Sequence, residues 1–119
     1  MKYLPLIYGN ETNWAGVSEA EQGKIFQEYM DYTSHILKSG NYIAGEALQP
    51  TATATTVRVK NGKTLTTDGP FAETREQLGG FYLVEAKDLD EAISLGARIP
   101  SARMGSIEVR PILPTPSPE

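Results

Sequence analysis

Cysteine is absent from the 119-residue chain, and His35 is its only imidazole. No disulfide, thiolate nucleophile or sulfur-rich metal site can therefore be built, and an imidazole cage for a metal lacks ligands. Long apolar runs are missing as well: nothing approaches a membrane span, and residues 4–8 are too short for the core of a secretory signal. Nor is there an excess of positive charge. Lys and Arg number 11 against 15 Asp and Glu, giving a formal charge of −4 and a pI near 5.0. Without a concentrated basic patch, that balance argues against nucleic acid as the main partner. At 13.0 kDa, a folded chain should expose about 6,300 Å² of the roughly 18,900 Å² exposed when unfolded. One ordinary core follows, in a small cytoplasmic domain expected to carry no metal or cofactor and to contact neither membrane nor nucleic acid.

What is present divides into short punctuated elements. Residues 3–8 read as an opening strand closed by Gly9-Asn10. Pro5 is awkward there, because proline removes a ladder donor, so a bulge at Pro5 is expected. Ser18-Glu19-Ala20-Glu21 is a capping box, opening a helix that Gly40 should stop in the left-handed region. Ile25, Phe26, Tyr29, Met30, Thr33, Ile36 and Leu37 form one apolar stripe on it, with Asp31 and His35 on the opposite, solvated face. Ala44–Leu48 reads as a short strand. Runs at 55–60 and 63–67 flank Asn61-Gly62, the strongest short hairpin signal, since both turn positions need positive φ. Residues 80–86 make a further strand, Asp88 and Glu91 cap a second helix ended before Pro100, and residues 106–112 alternate as a last strand. Residues 1–113 thus form a single domain, and the proline-rich residues 114–119 form a flexible tail.

Strand, long helix, strand with a hairpin, strand, helix and strand make two βαβ-like halves. The expected fold is an α+β, ferredoxin-like βαβ-βαβ sandwich with an inserted hairpin, both helices covering one face of an antiparallel sheet. The other face is left apolar and uncovered, which predicts a homodimer pairing two sheets.

The stretch from Asp68-Gly69-Pro70-Phe71-Ala72-Glu73-Thr74 through residue 100, followed by Gly105–Ile112, resembles the YCII-related proteins that carry a DGPF motif. Upstream, the segments at 6–11, 48–50 and 54–62 are similar to the same family, so the resemblance spans nearly the whole chain. It implies a dimeric α/β barrel, a bacterial cytoplasmic origin, and in some relatives an association with sigma-factor regions. For the wider group it implies a catalytic Asp–His pair in a cleft. Here Asp68 stands at the Asp position, but Tyr29 occupies the place of the histidine and His35 lies elsewhere on the helix.

Asp68 is accordingly the candidate catalytic residue, a carboxylate able to move a proton or anchor a ligand amine. Ahead of Gly-Pro it is equally a good Asx-turn residue, bonding its own downstream amides. The candidate ligand-binding residues are Tyr29, Arg58, Phe71, Glu73 and Arg98. Each has a plainer reading: a core or interface tyrosine, an arginine over the sheet edge, an aromatic core plug, a solvated pair with Arg75, and a cation suited to a helix C-terminus. Two lookalikes are rejected. Gly62-Lys63-Thr64 sits in a hairpin turn without the earlier glycine of a phosphate loop, and Asp88-Leu89-Asp90 lacks the later calcium ligands. A small polar molecule bound near the DGPF loop is the expected ligand, with Asp68 as a metal-independent proton-transfer group. The rival is a non-catalytic interaction or sensory module tied to transcription control.

Overall fold

The computed structural model describes residues 1–117; Pro118 and Glu119, the end of the expected tail, lie outside the described residues. β1 (Lys2–Gly9) leads through α1 (Glu11–Ala15) into the long helix α2 (Glu19–Lys38) and then β2 (Tyr42–Ala47). A 3-10 turn (Thr51–Thr53) precedes β3 (Thr55–Lys60) and β4 (Lys63–Asp68). β5 (Gln77–Glu85), α3 (Leu89–Ala97), a second 3-10 turn (Pro100–Arg103) and β6 (Ser106–Pro111) complete the order. The fold is α+β with two antiparallel sheets: four strands in the order β2-β5-β1-β6, and a separate β3–β4 pair. Neither closes into a barrel. Among the described residues, no helix is long and apolar enough to cross a membrane.

Alternation along the strands decides what is covered. Tyr3, Pro5, Tyr82 and Val84 are buried under the helices, where Tyr32 and Ile36 of α2 and Ala92 and Leu95 of α3 meet them in one core. Tyr32 donates its hydroxyl to the Leu95 carbonyl (2.7 Å), and the Thr33 and Tyr82 hydroxyls are hydrogen-bonded at 2.8 Å. Burial pushes the phenols of Tyr32 and Tyr82 above the ordinary tyrosine range. The opposite sheet face presents Leu4, Leu6 and Tyr8 from β1 beside Phe81 and Leu83 from β5, all half-buried, with Leu6 directly across from Phe81.

Pro5 is not bulged. Register with β6 runs unbroken through Leu4, Pro5 and Leu6; against β5 the ladder skips Leu4 and Pro5 without a change of register, which shifts only between Ile7 and Tyr8. Its ring is instead fully buried; the missing ladder bond is offset by apolar contact with the core.

Local chemistry sets the helix ends. The Ser18 hydroxyl accepts from the Glu21 amide (3.2 Å) and Gly40 takes φ +82°. At α3 the box is reciprocal: Asp88 accepts from the Glu91 amide and Glu91 from the Lys87 amide, both at 2.9 Å. The single stripe expected on α2 divides in two. Ile25, Tyr32 and Ile36 face the core, whereas Phe26, Met30 and Leu37 remain 56–61% exposed, with Trp14 of α1 stacked edge-on against Phe26.

α1 was not legible in advance. Its cap is Asn10, whose side chain accepts from the amides of Thr12 (2.9 Å) and Asn13 (3.2 Å). Glu11 clamps the root of the hairpin, accepting from the Thr51 amide (2.8 Å) and hydroxyl (2.6 Å), while its own amide donates to Gln77 (3.0 Å). The hairpin turn is as expected, with Asn61 at φ +52° and Gly62 at φ +75°.

Candidate functional site

The loop from Gly69 to Glu76 returns the chain from the hairpin to the sheet. At its start Asp68 is exposed and paired across the ladder with Thr55. Among the described residues its carboxylate accepts no hydrogen bond, so the expected Asx turn is not formed. The turn is held by backbone instead: the Gly69 amide donates to the Ala54 carbonyl (2.7 Å) and the Thr56 hydroxyl to the Gly69 carbonyl (2.9 Å). Gly69 sits at φ +99°, which a side chain would resist.

Phe71 is 75% exposed and therefore not a core plug. The Arg58 guanidinium lies over its ring, 5.0 Å from the centroid, a cation–π contact that brings two of the candidates together. Asp68 and Arg58 point to opposite faces of the hairpin by strand alternation, since Thr55 rather than Thr56 lies opposite Asp68. Glu73 is exposed and makes no ion pair with Arg75 among the described residues.

The remaining candidates belong to the helical layer. The Tyr29 hydroxyl is bonded to Ser101 at 2.6 Å, tying α2 to the turn after α3; burial raises its pKa against the opposing effect of that bond. Arg98 caps α3 and donates to Nε2 of His35 (3.0 Å), a bond that only a neutral imidazole can accept. These residues do not converge with Asp68 on one cleft.

A groove does form where the loop meets the sheet. It is a shallow, open hollow, with Thr74, Arg75 and Glu76 on one side and Tyr8 of β1 with Ser106, Ile107 and Glu108 of β6 on the other. The Ser106 hydroxyl donates to Glu76 (2.7 Å), and Glu108 is engaged by Arg110. Both carboxylates are thus occupied, whereas the Arg75 guanidinium has no partner among the described residues. Such a groove can take a small polar molecule through an acidic group on Arg75 and a polar group on the Tyr8 hydroxyl. The sequence signal for these residues was the pairing of β1 with β6, which sets Tyr8 opposite Ser106, and that pairing emerges only with the fold. No three His, Asp or Glu side chains gather among the described residues as a metal site would require.

Comparison with known proteins bears out the wider resemblance. An uncharacterised protein of Rhizobium meliloti (strain 1021) is 36% identical over 114 residues, covering 94% of this chain and 92% of the relative. The model of the YCII-related domain matches residues 1–116. With a match across nearly the whole sequence, the chain belongs to the YCII-related domain family.

Proposed function

We propose that this protein, a member of the DGPF subgroup, is a cytoplasmic homodimer that binds a small polar, acidic molecule in the groove beside the DGPF loop. Arg75, without a partner among the described residues and lining the same open groove as Tyr8, carries this reading. Supporting the dimer, the strand order β2-β5-β1-β6, with the hairpin set aside, is that of a ferredoxin-like sandwich. Its open face offers Leu4, Leu6, Phe81 and Leu83 to a second sheet, and sheet-on-sheet pairing would give the dimeric barrel. Asp68, free of internal hydrogen bonds at the start of the loop, serves as the proton-transfer group for a bound molecule. Phe71 and Glu73 follow it in the same loop, Arg58 lies over the Phe71 ring, and Tyr29 and Arg98 hold the helical layer.

A thermal-shift screen of small organic acids against wild type, Arg75→Ala and Asp68→Asn tests this. A ligand at a hundred times its dissociation constant adds about 2.7 kcal/mol, several degrees in a domain this small. The stabilisation should vanish in Arg75→Ala and persist in Asp68→Asn, with any turnover lost in the latter. A ligand held equally by wild type and Arg75→Ala would move the site elsewhere. The second reading, an interaction module linked to transcription control, draws on the exposed ridge of Phe26, Met30 and Leu37 on α2. Silence across the screen together with a specific protein partner would favour it.

A further inference from the structure

Beyond its root, where Arg58 lies over Phe71 of the following loop, the β3–β4 hairpin buries no residue against the body of its own chain. Twelve residues from Val57 to Asp68 are all exposed, on both faces, with Val57 at 61% and Val59 at 71%. A two-stranded hairpin alone in water is marginal at best. This one is nevertheless built to stand rigidly, with the Asn61-Gly62 turn at its tip and the Glu11 clamp on Thr51 at its root. Its two faces differ. Alternation puts Thr55, Val57, Val59, Thr64 and Thr66 on one, uncharged except for Asp68 at the end, and Arg58, Lys60 and Lys63 on the other.

Three measures say what is missing. The radius of gyration is 16.5 Å, against about 13.5 Å for a compact chain of this length. The exposed area is 8670 Å², some 2,300 Å² above the roughly 6,300 Å² of a compact monomer. A stable dimer needs only about 800 Å² from each partner. The charge is divided too: residues 55–68 hold three cations and one anion, net +2, so the rest of a chain of net −4 carries −6.

We infer that the β3–β4 arm docks on a second copy of this chain, its Val57–Val59 face laid against the partner's body, the arm's net positive charge being complementary to the net negative charge of the rest of that copy. The arm of each copy embraces the other, in the symmetric manner of a two-fold dimer. This rests on the dimer proposed above and adds an interface that the sheet face does not supply. The clamp at the root holds the arm in place before binding, which lowers the ordering cost of association.

The test compares dimer dissociation by sedimentation for wild type, the Val57→Asp/Val59→Asp variant and Leu6→Asp, together with hydrogen exchange of wild-type residues 55–68 at high and low protein concentration. The expected result is a dimer weakened at least about tenfold by the arm substitutions, with arm amides that exchange faster on dilution. A wild-type dimer that Leu6→Asp disrupts and the arm variant does not, with arm exchange independent of concentration, would overturn the arm inference and leave the sheet dimer standing. A wild-type monomer at tens of micromolar would overturn both. If the arm variant fails to fold, the concentration dependence of wild-type exchange still decides.

Discussion

A Cβ on Gly105 would meet the Tyr8 carbonyl oxygen at 2.1 Å, and backbone lies on both sides of that contact. Gly105→Ala should cost about 2–3 kcal/mol in urea unfolding and disturb the groove that Tyr8 lines; a loss under about 0.5 kcal/mol would contradict the packing described here. Ionisation gives a second test. Tyr29, Tyr32 and Tyr82 all have pKa values raised above 10.0, chiefly by burial. The folded state therefore keeps these protons to higher pH than the unfolded chain does. Their stabilising effect is complete below the unfolded value of about 10 and is lost as pH rises through the folded values. Unfolding free energy should fall above about pH 10, at up to about 1.4 kcal/mol per pH unit for each of these three, and part of the tyrosinate absorbance should appear only on unfolding. Single residues were the least legible part of the sequence. Phe71 read as core by its type, yet it sits exposed in the loop after the hairpin, under Arg58, with no core to enter. Asp68 read as a turn-former by its neighbours, but the Gly69 amide and the Thr56 hydroxyl took that role.

Elements were legible wherever local chemistry alone specified them. Both long helices begin at their capping residues, α2 ends where Gly40 allows it, and the hairpin turns at Asn61-Gly62. Ser18→Ala should accordingly cost about 1 kcal/mol, visible as a lower melting temperature. What failed depended on distant partners. α1 spans only five residues, too short for any apolar period to mark it, and it matters because Glu11 grips Thr51. Glu11→Ala should release the root of the arm, so that amides near Thr51 exchange faster while those of α2 keep their protection. An unchanged pattern would show that the clamp is dispensable. The stripe on α2 was misjudged in width for a related reason. Helical periodicity marks which residues are apolar, but only the packed sheet shows that Phe26, Met30 and Leu37 lie outside the contact.

For the whole molecule, the sheet order was accessible as a fold class, while the independence of the arm from the main sheet was not. Dimerisation through the open face predicts a particle of twice the chain mass in sedimentation and its weakening by Leu6→Asp, since a buried carboxylate in an apolar sheet face has no partner. The strand pairings also set a timetable. β1 is the first element made, yet it lies between β5 and β6, with Tyr3 opposite Val84 on one side and Pro111 on the other. Such distant closures are slow, and neither can form until β5, and after it β6, has been made. A ribosome translating this segment therefore carries β1 as an unpaired apolar strand until β5 and then β6 have been made. During that interval the nascent chain is an expected client for a holding chaperone, and a transcript truncated before residue 106 would yield a product with β1 open along one edge and prone to aggregate.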